Sequence, residues 1–342
     1  MEAAKSEADR QLPIGDEIFL DHVGHFVRDP EAATRALVRA GFAPTPVSIQ
    51  VNPAPDGAPR LTGTGNTTAM FARGYIEALF RTADTPLGRE LAAGMARYPG
   101  VHLAAFAVAD AAKAHRRLAG AGFRMQPLVE MQRPVDTGGA PGTAAFTLAR
   151  VEPGEMPEGR IQILTHRTEP MVWQPRWLAH PNGALALTSI LIVTGDVADA
   201  ARRFARFTGR QATATASGES VVLDRGRIDL VSVETFTQRL PEIPIPSLPF
   251  MGAYGIKVAS LAALAELLQR AGLATRRGQH GLTVLHSRHS ALPLSLLSTA
   301  RHNALIEKRP PCPTMFVTSS ASAGVSSSPV PEGPRVDWRS SI

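Results

Sequence analysis

The chain has 342 residues, of which 44% are hydrophobic and 19% are charged, so it has the composition of a globular protein and room for two domains. No apolar run is long enough to span a membrane, and the N-terminal segment lacks the apolar core of a signal peptide. The single cysteine, Cys312, excludes an intramolecular disulfide and a thiolate metal site. We therefore expect a cytoplasmic protein.

The formal net charge is +6, but the basic residues are scattered along the chain. In stretches such as "ARRFARFTGR" they fall on the polar side of a predicted amphipathic helix. A solvated basic face is therefore favoured over a nucleic-acid surface. We expect no nucleic acid and no membrane as partners.

The first structural unit follows a polar N-terminal segment, 1–16, which we predict to be a disordered tail. A strand is predicted over Phe19–Val27. A helix follows, with Asp29 as its N-cap, Pro30 at its first position and Gly41 at its end. Three strand-like runs complete the unit: "TPVSIQV", "NTTAMFA" and "YIEALF".

The same order of elements recurs three more times along the chain. In the second copy, "VHLAAFAVADAAKAHRRLAGAGF", Asp110 and Phe123 keep the spacing of Asp29 and Phe42. The third copy starts at "LALTSILIVTGDVADAARRFARFTGR" and the fourth at "YGIKVASLAALAELLQRAGL". One unit leaves a sheet face uncovered, whereas two units can close around a shared cup. The repeat predicts an α+β fold of four βαβββ modules in two pairs.

This organisation predicts the domain boundaries. The first pair of modules spans 17–170, a linker spans 171–182, and the second, degenerate pair spans 183–300. From 309 to 342 the chain is rich in Ser and Pro without useful periodicity, so we predict a disordered C-terminal tail.

The motifs resemble the vicinal-oxygen-chelate superfamily, which includes glyoxalase I, extradiol dioxygenases and bleomycin-resistance proteins. The resemblance rests on "LDHVGHFVRDPEAATRALVRAGF", "GTGNTTAMFARGYIEALF", "GVHLAAFAVAD" and "HPNGALAL". It is greatest to the glyoxalase-like domain group, over about residues 18–195, and extends to 196–300. It implies two paired domains of this fold, and a fold alone does not define a reaction.

The resemblance implies one metal ligand near the start of the first strand of a module and another in its last strand. In the first module these positions hold His22 and Glu77, which suit a divalent metal such as Zn, Ni, Mn or Fe. Strand alternation turns His22 into the cup and His25 towards the opposite, helix-covered face. A carboxylate inside an apolar strand needs a partner, and an arginine or a hydrogen bond is the alternative to a metal for Glu77.

The second module departs from the pattern. Leu103 stands where His22 stands in the first module, and the adjacent His102 faces away unless a one-residue bulge turns it inward. Gln162 corresponds to Glu77, and its amide oxygen can coordinate a metal or hold a substrate. The candidate metal ligands are therefore His22, Glu77, Gln162 and His102.

The second pair of modules offers poorer ligands. Ser189 and Ala253 stand at the positions that match His22, and only Asp229 matches Glu77. We expect no metal centre there, and a role in stabilising the first pair or in shaping a homodimer.

Three further residues are candidates for substrate binding. Asn66 opens a strand next to that of Glu77, Phe26 shares the strand face of His22, and His166 follows a strand that points towards the cup mouth. For the other histidines a structural role is favoured. His180 in "HPNGAL" caps a turn with Asn182, and two more lie in a polar hairpin turn, His286 and His289.

The leading functional hypothesis is a metal-dependent lyase or isomerase that acts on a small oxygen-bearing molecule. Glu77 would double as the proton-transfer base, as the glyoxalase resemblance implies. The alternative is a metal-free small-molecule-binding protein of the bleomycin-resistance type, which Leu103 and Gln162 favour. A ring-cleaving dioxygenase fits less well because the second pair lacks two histidines and a carboxylate at the matching positions.

Overall fold

The computed structural model of the protein describes residues 10–53, 58–278, 281–285 and 296–299. Within these ranges the α+β prediction is confirmed, and the order strand, helix, three strands occurs four times. The elements of the first two modules are, in chain order, β1 (Ile18–Val27), α1 (Pro30–Arg39), β2 (Ser48–Pro53), β3 (Pro59–Met70), β4 (Tyr75–Arg81), α2 (Pro86–Arg97), β5 (Gly100–Val108), α3 (Ala111–Gly120), β6 (Val129–Val135), β7 (Gly142–Arg150), β8 (Arg160–His166) and α4 (Glu169–Val172).

The last two modules repeat this order. Their elements are β9 (Ala184–Val193), α5 (Val197–Thr208), β10 (Ala212–Thr215), β11 (Gly218–Val222), β12 (Arg227–Val231), α6 (Val233–Arg239), β13 (Phe250–Val258), α7 (Leu261–Arg270), β14 (Ala274–Arg277), β15 (Gly281–Leu285) and β16 (Leu296–Thr299). None of the helices in the described ranges is long and apolar enough to cross a membrane.

Helices α1 and α3 begin where the sequence predicts. The Asp29 carboxylate accepts hydrogen bonds from the amides of Glu31 and Ala32 and so caps α1. Asp110 caps α3 in the same way. After α1 the chain reverses through Gly41, whose φ of 80° is a conformation that favours glycine.

The first two modules pair with each other and close into a barrel. Their eight strands run in the order β1-β4-β3-β2-β6-β7-β8-β5, and β5 pairs antiparallel with β1. The second closing contact is short, since β2 and β6 pair only through Val51 and Gln132. The barrel encloses an apolar cluster that includes Tyr75, Leu103 and Phe146.

The last two modules form a sheet in the order β10-β11-β12-β9-β13-β16-β15-β14. It continues the first barrel where Met251 of β13 pairs with Val101 of β5, and two isolated bridges, Phe19 with Arg225 and Arg73 with Ala186, also join the halves. No pairing between β10 and β14 is present among the described strands, so this sheet remains open where the first one closes.

One irregularity is shared by the first strands of all four modules. Where β1 pairs with β5, and where β9 pairs with β13, the register shifts so that an extra residue bulges from each strand, and β9 has a second bulge at Leu185. In each module one bulged residue directly precedes the position that matches His22. These four equivalent residues are Asp21, His102, Thr188 and Gly252.

The structure refines the predicted boundaries. Arg10 and Gln11, which lie in the predicted N-terminal tail, contact the second half, because Arg225 donates hydrogen bonds to their backbone oxygens. The predicted linker, 171–182, is packed, and its Val172 and Trp173 are buried. His286, His289, Cys312 and the predicted tail over 309–342 lie outside the described residues.

Candidate functional site

A cavity lies inside the closed barrel and is lined by side chains from both modules. The volume of this cavity is about 20 Å³, which is room for roughly one water molecule. Its apolar wall includes Leu79, Leu103 and Phe146. Its polar lining consists of His22, Gln50, Asn66, Tyr75, Glu77, Arg133, Arg150, Arg160 and Gln162.

Glu77 and His22 face each other across this cavity. Glu77 Oε1 accepts hydrogen bonds from Asn66 Nδ2 at 2.5 Å and from Gln50 Nε2 at 3.3 Å. Its other oxygen, Oε2, lies 3.5 Å from His22 Nε2. The His22 ring is stacked on Tyr75, with 4.3 Å between ring centroids. One carboxylate oxygen is thus anchored by two uncharged amides, and the other faces an imidazole.

The bulge at Asp21 fixes the orientation of His22. It lets two consecutive side chains meet, and His22 Nδ1 lies 2.6 Å from Asp21 Oδ1. Because a carboxylate only accepts, Nδ1 carries a proton, and Nε2 faces Glu77 either with its lone pair, in a neutral ring, or with a second proton, in an imidazolium. Two acceptors 3.5 Å apart repel each other unless a proton or a metal cation lies between them.

Asp21 also binds a second histidine behind the cavity wall. Its Oδ2 lies 2.8 Å from His166 Nε2, and the side chains of both residues are fully buried. Burial by itself raises the pKa of Asp21, but the charges and hydrogen bonds of His166 and His22 outweigh it and lower that pKa well below its ordinary value. Asp21 is therefore a stable carboxylate that positions two imidazoles.

The equivalent positions of the second module differ in chemistry. Leu103 lines the cavity opposite His22, and Gln162 lines it with its Oε1 accepting a hydrogen bond from Arg150 Nε at 3.0 Å. His102 occupies a bulge, as the sequence allowed, yet the bulge does not bring it to the cavity lining. Its Nε2 lies 2.7 Å from the Tyr98 oxygen.

His102 is instead packed under α2. Its ring stacks on Tyr98 at 3.9 Å and on Phe26 at 5.1 Å. Burial, partly offset by the hydrogen bond to Tyr98, lowers the pKa of His102 to about 4, so the ring is neutral at neutral pH. His102 is thus a packed structural histidine, and unlike the other three metal candidates it does not line the cavity.

The three predicted substrate-binding residues have different positions. Asn66 lines the cavity, whereas Phe26 is buried against His102 and does not reach the lining. His166 does not reach the cup mouth either, because its ring is enclosed by Phe146, Trp173 and Asp21. His166 thus acts on the cavity only through Asp21.

The remaining histidines have the structural roles predicted for them. His25 faces away from the cavity, and its Nε2 lies 3.1 Å from the Tyr254 hydroxyl of β13. The cover on that face is a strand of the second half, not the helix we expected. His180 accepts a hydrogen bond from the Ala43 amide, and Asn182 donates one to the Ala40 oxygen, which ties the end of α1 to the start of β9.

Sequence reasoning missed three arginines in the cavity wall. Arg133 lies on β6, Arg150 on β7, and Arg160 at the start of β8, where its Nε lies 2.7 Å from Glu90. Burial lowers the pKa of Arg133, and burial together with the charge of Arg160 lowers that of Arg150 to about 10. Inward alternation along β6 and β7 was the available signal for them.

Two side chains of the cavity have the chemistry and the separation needed to bind one divalent metal ion. His22 Nε2 and Glu77 Oε2 are close enough to share one ion, and Asp21 supports the imidazole as carboxylates behind metal-bound histidines do. Asn66 Oδ1 is buried without a hydrogen-bond partner next to Glu77 and offers a third, neutral donor. In the described part of the chain no cluster of three or more His, Cys, Asp and Glu side chains is placed to hold a metal, so an ion bound here would have only His22 and Glu77 as ionisable ligands.

The comparisons with known proteins agree with this architecture. A family model described as "Glyoxalase-like domain" matches residues 20–208, more than half of the 342-residue chain. No curated protein matches the sequence. A solved structure of a hypothetical protein from Staphylococcus aureus has a TM-score of 0.55 at 9% identity, covering 83% of this chain and 100% of that one.

A second solved structure, a mutant of 4-hydroxymandelate synthase from Streptomyces coelicolor, has a TM-score of 0.51 at 15% identity. The match covers 84% of this chain and 94% of that chain. At such identities the two structures support the fold alone. With the family match, the fold defines a protein of the vicinal-oxygen-chelate superfamily. The chain belongs to its glyoxalase-like domain family.

Proposed function

We propose that the barrel cavity is the active site of a divalent-metal-dependent lyase or isomerase that acts on a small oxygen-bearing molecule. The observation that carries this proposal is the approach of His22 Nε2 to Glu77 Oε2 at 3.5 Å, with Nδ1 of the same ring held by Asp21. Two lone pairs that face each other in a buried site form a binding position for a cation.

The protein's own residues divide the work in this proposal. His22 and Glu77 would hold the ion, with the Asn66 amide oxygen as a further donor. When bound, the ion would act as a Lewis acid on a substrate oxygen. Asn66 and Gln50 anchor Glu77 through Oε1, and the same carboxylate would take a proton from the substrate and return it, which a Glu77 oxygen can do only while it is not bound to the ion. The apolar wall around Leu103 and Phe146 keeps water away from that proton.

A second candidate function is metal-free binding of a small molecule. It is favoured by Gln162, whose oxygen is engaged by Arg150 and which therefore adds no free ligand. In this case a proton lies between His22 and Glu77, so that an imidazolium pairs with both Asp21 and Glu77.

Metal content separates the two candidates. Protein without a histidine tag would be dialysed against Zn, Ni, Mn or Fe(II), freed of excess ion, and analysed by mass spectrometry for metal. We expect about one ion per chain, and its loss in His22→Ala and in Glu77→Ala. Asp229→Ala, the matching change in the second half, should keep the ion. Wild-type protein that retains less than about a tenth of an equivalent would exclude the metal enzyme and leave the binding protein.

A further inference from the structure

Arg133 is a buried cation for which the protein supplies no anion. Its side chain is only 5% exposed. Among the described residues, no carboxylate lies within 4.0 Å of its guanidinium and no acceptor takes a hydrogen bond from it. Glu77 acts on the guanidinium through its charge without forming an ion pair. A cation in this position has little contact with solvent and no carboxylate beside it, so it points to an anion that binds from outside the protein.

The position of Arg133 shows where that partner enters. Arg133 lines the inner cavity with His22 and Glu77, and it also lines an outer groove of about 450 Å³. The groove lies between the start of β2, the hairpin after β6 and the segment that contains Met171 and Trp177. The guanidinium therefore separates the solvent-filled groove from the buried cavity.

The inner cavity is also rich in positive charge, which favours the binding of an anion. Arg150 binds the neutral Gln162, and the described structure gives it no carboxylate partner. Arg160 is paired with Glu90, which leaves Glu77 as the acidic side chain that faces Arg133 and Arg150. The cavity thus holds more positive than negative charge before a ligand binds.

We propose that the substrate or ligand of this site is a small organic carboxylate that enters from the outer groove. Its carboxylate group pairs with the Arg133 guanidinium, and the rest of the molecule lies in the groove, because the inner cavity has room for only about one water. A planar carboxylate matches the fork of a guanidinium and needs one arginine, whereas a phosphate dianion calls for several donors at one point. The inference deepens the proposed function by naming the substrate class. It does not need the metal, because Arg133 is not a metal ligand.

Calorimetric titration of the full chain, stripped of metal with EDTA, tests the proposal. The probes are acetate, pyruvate, succinate and benzoate, each paired with its neutral amide, and methyl phosphate. We expect saturable binding of at least one carboxylate with Kd below about 1 mM and at least about tenfold weaker binding of its amide. Arg133→Gln should weaken the binding at least about tenfold, with Arg133→Lys in between. Arg116→Gln, on the exposed face of α3, should leave it unchanged.

The ligand-free variants provide the second measurement. Because Arg133→Gln removes an uncompensated buried charge, its Tm without ligand should equal or exceed that of the wild type. The proposal is overturned if none of the four acids binds saturably, if binding is the same in Arg133→Gln, or if methyl phosphate binds more tightly than every carboxylate. Failure of metal loading with intact carboxylate binding would overturn the metal enzyme and leave this inference standing.

Discussion

The two halves of the molecule share an order of elements but differ in closure. In the first half β2 meets β6 and the eight strands form a barrel. In the second half the corresponding strands, β10 and β14, have four residues each, and the described strands do not join them. A closed barrel can keep polar side chains away from bulk solvent, and an open sheet must cover its inner face by other means.

The matching carboxylates show what this difference means chemically. Asp229 of β12 stands where Glu77 stands in β4, and it accepts hydrogen bonds from Arg227 Nε at 2.8 Å and from Ser220 Oγ at 2.9 Å. Asp229 is thus neutralised by a residue of its own strand, whereas Glu77 is anchored by uncharged amides and keeps one oxygen for the cavity. The same strand position is structural in one half and chemically available in the other.

The inner face of the second half is filled by apolar side chains. Phe236 and Leu240 of the α6 region pack with Leu191, Val193 and Ala253 in one buried cluster. A substituent on Gly252 would meet the Phe236 ring at 2.5 Å, so this ring occupies the space directly over β13. The second half therefore has a packed core where the first has a cavity.

The largest expected contrast between the halves is chemical. Glu77→Gln keeps the shape of the side chain but removes the base, so proton transfer should fall about 10²- to 10⁴-fold. Asp229→Asn should leave it within about twofold. Deuterium uptake from D2O by carboxylates that bind, followed by proton NMR, measures both. Equal losses in the two variants would show that the halves do not differ in the way described.

The next contrast concerns packing. Phe236→Ala should lower the free energy of unfolding by about 3–5 kcal/mol, because Phe236 is fully buried in a filled core. Met131→Ala, in the wall of the cavity, removes a half-buried side chain beside existing space and should cost about 1–2 kcal/mol. Urea unfolding at neutral pH compares the two. A cost for Met131→Ala as large as that for Phe236→Ala would contradict the assignment of a cavity to the first half alone.

A smaller effect concerns the bulged residues of the first two modules, His102 and Asp21, which contribute to stability over different ranges of pH. Burial lowers the pKa of His102 to about 4 from 6.5, so the unfolded chain takes up a proton at higher pH than the folded chain does. The stability is complete above pH 6.5 and should fall by about 3 kcal/mol as the pH decreases to 4.

The measurement is urea unfolding at pH 7 and at pH 4 for the wild type and for His102→Phe. The variant lacks the titrating group, so its loss on acidification should be smaller by about 3 kcal/mol. The other bulged residue, Asp21, has a lowered pKa and loses its contribution only as the pH falls below the ordinary carboxylate range. An identical loss in both proteins would mean that His102 is protonated in the folded chain.

Much of the fold could be predicted from local patterns. Asp29, Pro30 and Gly41 define α1 through capping and turn chemistry that depends on a few neighbouring residues. Strand alternation was sufficient to place His22 and Glu77 on the cavity side and His25 on the other. These signals depend on a few neighbouring residues, and the same order of elements recurs in all four modules.

The four bulges could not be predicted in this way. Asp21, His102, Thr188 and Gly252 occupy equivalent positions but share no residue type, because a bulge is a property of the register between two strands. For the same reason alternation alone would have turned Asp21 away from His22, and the contact between them was missed. His166 was placed at the cup mouth because its partner, Asp21, lies 145 residues away in the sequence.

The sequence by itself therefore determined the four modules, the starts of α1 and α3 and the strand face of His22 and Glu77, since these depend on propensity and periodicity over a few residues. Only the tertiary structure decided that the first pair closes, that Asp21 turns to hold two histidines, and that Arg133 lies buried without an anion. Those outcomes depend on register and on which distant charges come together, and the free energy of a buried charge is defined only once its surroundings are complete.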